Sequence, residues 1–175
     1  MGLDQYFYLK KDKQVEETME ELAYLRKANA LQGYFETKYD LDDCQYIEIT
    51  DEILDNLESR LNGTMSILEK YAKNEDSLKA LKEFENGDYS GDYSEDIKEK
   101  LKDYYEQKDE VDAELKSACQ KGEAFYPQEG FFYGGVDILD FISWQLPQIK
   151  AAIKAVSKAY DKLKDDEHIL YYSWW

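Results

Sequence analysis

Apolar residues fall into helical and strand rhythms along the chain. From about Gln14 to Lys38, Val15, Met19, Leu22 and Leu25 recur at steps of three and four, and Ala28, Leu31 and Phe35 continue with a drift in face, so the spacing predicts a helix. After Thr50, Ile53, Leu57, Leu61, Met65 and Leu68 share one face. Thr50 has N-cap chemistry, and Asp51 and Glu52 sit where the helix dipole favours acids. Asn62-Gly63 interrupts this segment by composition while the apolar period runs through it, which predicts one helix, bent at most. A short helix is expected over about 75–86, then a long one from Ser94 to about Lys121 with Gly122 as its stop. Asp137 opens a last helix with the stripe Ile138, Ile142, Leu146, Ile149, Ile153, Val156, Tyr160 and Leu163. Pro147 leaves the phase of that stripe unchanged, which predicts a kink rather than a break. "GLDQYFYLKK", "CQYIEIT" and "HILYYSWW" read as strands, and "GFFYGG" as a brief strand or an aromatic turn. The expectation is an α+β fold in a single domain, 1–175. It has a small, mostly antiparallel sheet, with strands near 3–9, 45–50, 130–134 and 168–174, covered by several long helices.

With 175 residues, 43% of them hydrophobic, the chain is long enough to bury a core. Sixteen tyrosines supply more ring surface than packing alone requires. No apolar run approaches the roughly 18 residues of a membrane span. The start does not read as a signal peptide, and Tyr6 breaks the myristoylation pattern. Cys44 and Cys119 are too few for a disulfide framework and read as reduced thiols of a cytoplasmic protein.

The formal charge of −17 is unevenly placed. Residues 40–60 hold eight acids against one base, and residues 83–114 hold thirteen against four; the rest of the chain is nearly neutral. The implied partner is therefore basic, and direct nucleic-acid or anionic-membrane binding is disfavoured. Within the second block, Glu95, Glu99, Asp103, Glu106, Glu110 and Glu114 are spaced 4, 4, 3, 4 and 4 apart, one line along a helix. Ile97, Leu101, Tyr104, Val111 and Leu115 fall on the other side. The acidic line would run roughly 28 Å. Asp51, Asp55 and Glu58 make a shorter second line. One reading is a solvent face, eased by Lys98 and Lys102. The other is a partner-binding surface that imitates a nucleic-acid backbone, with Tyr89, Tyr93, Tyr104 and Tyr105 adding apolar contact.

Enzyme chemistry finds little support. There is no P-loop, GxGxxG, GxSxG or HExxH pattern, so no catalytic residue and no cofactor is assigned. The single histidine, His168, lacks neighbours at metal-ligand spacing and reads as a structural or surface residue. Asp88 and Asp92 in "GDYSGDYSED" do not fit a calcium loop, and the stretch reads as a solvated turn. In "LRKAN", Arg26 and Asn29 extend the preceding stripe and should face partly inward. They read as a structural tie to an acid or, less favoured, as a nucleotide clasp.

The MGLD start, "YLRKAN…YF" at 24–35, "GFFYGG" at 130–135 and the terminal "YYSWW" together resemble a family of small acidic proteins encoded by bacteriophages and prophages. Leu25 stands where that family commonly carries Trp before the Arg-Lys-Ala-Asn block. The resemblance implies a phage gene product in the bacterial cytoplasm and carries over no catalytic residue. The expected function is a non-enzymatic inhibitor of a host defence nuclease, of anti-CRISPR or anti-restriction type, acting by protein binding. The alternatives are a phage assembly or replication accessory protein whose acidic face is merely solvated, and a small nucleotide-binding protein or enzyme built on Arg26 and Asn29.

Overall fold

A computed structural model of the chain describes residues 2–83, 99–129 and 136–174. The expected strand at 130–134 and the GDYS repeat, with Asp88, Tyr89, Asp92, Tyr93 and Glu95, lie outside the described residues.

Four antiparallel strands form one sheet: β1 (Asp4–Lys11), β2 (Glu20–Arg26), β3 (Tyr46–Glu48) and β4 (Glu167–Trp174), in the order β2-β1-β4-β3. The two central strands come from opposite ends of the sequence, and they pair in unbroken register from Asp4↔Trp174 to Lys11↔Glu167. The α+β architecture with an antiparallel sheet is the expected one.

Residues 14–26 correct the expectation of a helix from Gln14. A 3-10 turn at Glu16–Thr18 leads into β2, which pairs with β1 from Leu9↔Glu20 to Asp4↔Arg26 across a bulge at Phe7/Tyr8. Val15, the first residue of the supposed stripe, is 60% exposed. A pairing partner ten and more residues away outweighs a local period that either element accommodates. Lys27 ends the strand in the left-handed region, and its N–H donates to the Leu3 carbonyl. Helix α1 (Asn29–Tyr39) then begins, burying Leu31 and Phe35 as the second half of the stripe requires.

Helix α2 (Asp51–Tyr71) is capped as expected, the Ile53 N–H donating to Thr50 Oγ1 at 3.4 Å. It runs without interruption through Asn62-Gly63. Gly63 is there for close approach: a Cβ would lie 1.9 Å from the Glu123 carbonyl oxygen. Thr64 Oγ1 beside it accepts the Phe125 N–H, and Arg60 donates to the Ala124 carbonyl, so α2 holds the 123–125 strap along its side.

Helix α3 (Glu75–Glu83) follows. The long helix expected from Ser94 is broken among the described residues. Helix α4 (Lys102–Glu106) and helix α5 (Lys108–Gln120) meet at Gln107, whose φ of −115° and ψ of 27° are not helical. The Gln107 side chain bridges the break, donating to the Tyr71 and Asp103 carbonyls at 3.0 and 2.8 Å. At its far end α5 stops as expected: Gly122 has φ +82°, and the Glu123 N–H reaches back to the Ala118 carbonyl.

The last helical run comprises α6 (Ile138–Asp140), a π-helical turn (Phe141–Gln145) and α7 (Leu146–Tyr160). Asp137 caps its start through the Leu139 and Asp140 N–H groups. Pro147 has no N–H to give to the preceding turn. The Leu146 N–H bonds the Phe141 carbonyl, widening the helix by one residue just before the proline, so the run continues.

The helices of the described residues pack against one side of the sheet. Phe7, Leu25, Ile169 and Tyr171 of the inner face join Phe35 of α1, Leu57 of α2 and Ile149 of α7 in a continuous core. Tyr171 stacks on Phe35 with ring centroids 3.9 Å apart. Its hydroxyl accepts from Gln5 Nε2 and donates to Gln32 Oε1, both at 2.7 Å. Among the described residues, no helix is long and apolar enough to cross a membrane.

Candidate interaction surface

Alternation along β1 sends Gln5 and Phe7 inward and Tyr6 and Tyr8 outward; along β4 it sends Ile169, Tyr171 and Ser173 inward and His168, Leu170, Tyr172 and Trp174 outward. The register then sets Tyr6 beside Tyr24 on β2 and beside Tyr172 on β4, and Tyr172 beside Tyr46 on β3. The result is one row of tyrosine rings crossing all four strands. Neighbouring ring centroids are 5.1 Å apart for Tyr24–Tyr6, 6.3 Å for Tyr6–Tyr172 and 4.6 Å for Tyr172–Tyr46. Tyr8 stacks on Tyr6 at 5.5 Å, nearly parallel to it. Aromatic cross-strand pairs of this kind stabilise a sheet. Tyr24 and Trp174 are 47% and 52% exposed.

Carboxylates border the row. The Tyr24 hydroxyl donates to Asp4 Oδ1 at 2.6 Å. Partial burial, helped by this bond, pushes the Tyr24 phenol up to about 12. Partial burial and then the neighbouring Tyr6 and Glu21 do the same for Tyr8, up to about 12. Tyr6 is raised by burial and then by Asp4 and Glu21, and Tyr46 by burial and then by charge on Glu16 and Cys44. The row is therefore neutral phenol at neutral pH, set in a negative surround.

At the far end of the face, His168 lies between two acids from separate elements. Its Nδ1 is 2.7 Å from Glu48 on β3, and its Nε2 is 2.8 Å from Asp12, just past β1. Two carboxylates can be satisfied at once only if both ring nitrogens carry hydrogen. Accordingly the bonds to Glu48 and Asp12 raise the imidazole above its ordinary value. Through these two contacts His168 ties β3 and the β1 turn to β4.

The acidic stripe expected along 95–114 is largely dispersed. Asp103 was expected to face water and does not: it is 7% exposed. It accepts from the Lys73 N–H at 2.8 Å, Asn74 Nδ2 at 3.2 Å and Ser77 Oγ at 2.6 Å, which anchors the start of α3. Burial opposes its ionisation, but the Ser77 and Lys73 bonds outweigh that and hold the carboxyl below its usual range. Glu106 pairs with Lys73 at 3.1 Å and Lys102 at 3.8 Å. Glu114 accepts from Lys70 and from the Tyr71 hydroxyl, which hold its carboxyl low. Glu99 and Glu110 face solvent, as do Asp51 and Asp55, while Glu58 is half-buried. The break at Gln107 separates Asp103 and Glu106 from Glu110 and Glu114. Tyr104 is buried in the core and Tyr105 is 64% exposed.

Arg26 and Asn29 are not brought together. Arg26 is exposed rather than inward. Its carbonyl accepts from Trp144 Nε1 and Gln148 Nε2, and its N–H donates to Gln148 Oε1, which covers this end of the β2 edge. Asn29 is buried, its Oδ1 accepting the Gln128 N–H at 3.2 Å. Of the site residues the sequence reading missed, Tyr6, Tyr8, Tyr24, Tyr46 and Tyr172 matter most. The signal was present in the aromatic alternation of "DQYFYLKK" and in "HILYYSWW". Tyr24 was hidden by the mistaken helix. Among the described residues no cluster of three or more His, Cys, Asp or Glu is arranged to hold a metal. Comparison of the chain with protein-family models, with curated proteins and with solved structures finds no match.

Proposed function

We propose that this protein is a non-enzymatic binding protein that docks a partner protein on the open face of its sheet. The observation that carries the reading is the row of touching tyrosines, Tyr24–Tyr6–Tyr172–Tyr46, on the side of the sheet opposite the helices. Tyrosine gives large, rigid contact area at low entropic cost and a hydroxyl for polar contacts, which is why it is enriched where proteins bind one another. The −17 charge favours a basic partner. In the form that the resemblance to phage-encoded acidic proteins favours, the partner is a basic host nuclease in the bacterial cytoplasm and docking inhibits it. The dispersed carboxylates of α4 and α5 lend no support to a continuous imitation of a nucleic-acid backbone, so the reading rests on the sheet.

Site-specific crosslinking tests it. A photo-reactive Tyr24→p-benzoylphenylalanine variant is expected to capture a discrete host protein, and the same probe at Tyr105, more exposed on α4, is expected not to. Capture through Tyr105 alone overturns the reading. A nuclease among the products supports the inhibitor form, and a phage structural protein the accessory form.

A further inference from the structure

We infer that the tyrosine face takes an arginine- and lysine-rich segment of its partner, with cationic side chains laid over the rings and their charges met by the bordering carboxylates. This rests on the docking reading above and names the chemistry of its occupant. A cation over a tyrosine ring is attracted by the ring's negative face, most strongly where water is thinned out. The rings here are stacked or tilted against one another along the sheet, not closed into a cage, so they suit a succession of side chains along a segment rather than one enclosed cation.

The charges of the face decide the sign of the occupant. From β1 come Asp4, bonded to the Tyr24 hydroxyl, and Lys10; from β2 come Glu21, close enough to bias Tyr6 and Tyr8, and Arg26; from the turn before β2 comes Glu16 beside Tyr46. From β3 comes Glu48 and from the β1 turn Asp12, both turned onto the His168 ring of β4. Asp43, ahead of β3, bears on Tyr172. The basic groups sit at the two ends of β1: Arg26 opposite Asp4 at one, Lys10 with His168 across from it at the other. Between these ends, Tyr6 has Asp4 and Glu21 as its charged neighbours and Tyr172 has Asp43. An extended nucleic-acid strand would also stack on such rings, but its phosphates would meet those acids. A basic peptide meets attraction from both.

The test uses the full chain and a fluorescent peptide of alternating arginine, lysine and glycine as probe. Three competitors accompany it: the same peptide with glutamine for every cation, an acidic peptide, and single-stranded DNA. The basic peptide is expected to bind saturably, and its affinity to fall about tenfold or more between about 50 and 300 mM salt. Amide resonances of β1 and β4 are expected to shift and those of α5 to stay. Asp4→Asn with Glu21→Gln should weaken binding by about tenfold, while Glu110→Gln should leave it within about twofold. Because these neutral substitutions keep shape, folding is preserved, and the resonance map needs no variant at all. Shifts confined to α5, equal binding of the glutamine peptide, or preferential binding of DNA would each overturn the inference. If Tyr24 crosslinks a partner but no basic peptide binds the face, the inference fails while the docking reading stands.

Discussion

The rings on the sheet are held by one another, whereas the carboxylates on α4 and α5 are held by other elements. On the sheet, backbone pairing fixes the spacing, and each ring's neighbour is another ring from the adjacent strand. Nothing in the core draws those side chains away, so the row stays outward. On the helices four of the acids are engaged, while Asp109 and Glu110 are exposed. Asp103 is taken by the start of α3, Glu106 by Lys73 and Lys102, Glu114 by Lys70 and Tyr71, and Asp112 by the Tyr126 hydroxyl at 2.9 Å. Like charges one turn apart repel, and a fold relieves that by giving each a cation or a donor. Acids in such a segment act as ties between helices before they act as a surface.

Three sets of substitutions separate the two regions. The largest effect is expected from Tyr6→Ala with Tyr172→Ala, which removes the centre of the row. Affinity for the captured partner should fall about a hundredfold or more, as for central aromatic contacts in other interfaces, read by titration calorimetry. Glu106→Gln with Glu110→Gln should change it less than about threefold. If these two results are exchanged, the helices are the binding surface and the sheet is not.

Next in size is Asp103→Ala, a stability effect. It leaves the Lys73 N–H and the Ser77 hydroxyl without their acceptor in a buried site, costing about 2–3 kcal/mol by denaturant unfolding. Since folding depresses the Asp103 carboxyl, its contribution is present above the ordinary value of 3.8 and is lost as pH falls through the lower folded value. The acid limb of the stability curve should flatten in the variant.

The smallest effect has the opposite pH sign. Folding raises His168, so the clamp's contribution is full below 6.5 and is lost as pH rises through the folded value. The melting temperature of the wild type should decline across that window, and His168→Gln should flatten the decline. Because the group is partly exposed, the change should be modest, and it should not move when Glu110 is neutralised.

The stripes of α2 and α7 were legible because their partners are themselves: a period of 3.6 with buried Leu57, Leu68, Ile149 and Val156 needs only some apolar surface opposite. The caps at Thr50, Asp137 and Gly122 are local chemistry and were equally legible. Residues 14–26 were not, because Tyr24 and Leu25 are placed by Tyr6 and Gln5, a contact no local window contains. Asp103 was misread for the same reason. Its spacing put it in line with Glu99 and Glu106, but its three donors come from residues 73–77. The tyrosine row required both the register and the knowledge that the described helices lie on the other side.

The pairing of β1 with β4 also has a consequence in time. Asp4 and Trp174 are partners in the central ladder. On a ribosome adding about 5–20 residues per second, β1 waits roughly ten to thirty seconds for its neighbour. Until then it has only β2, a two-stranded ribbon that is marginal in water. The edge that β4 will occupy stands open, with "QYFYL" along it. Each newly made chain therefore passes through an interval in which the edge of β1 is an adhesive one, and cells that make the protein rapidly have a physical reason to shield that edge with chaperones until β4 arrives.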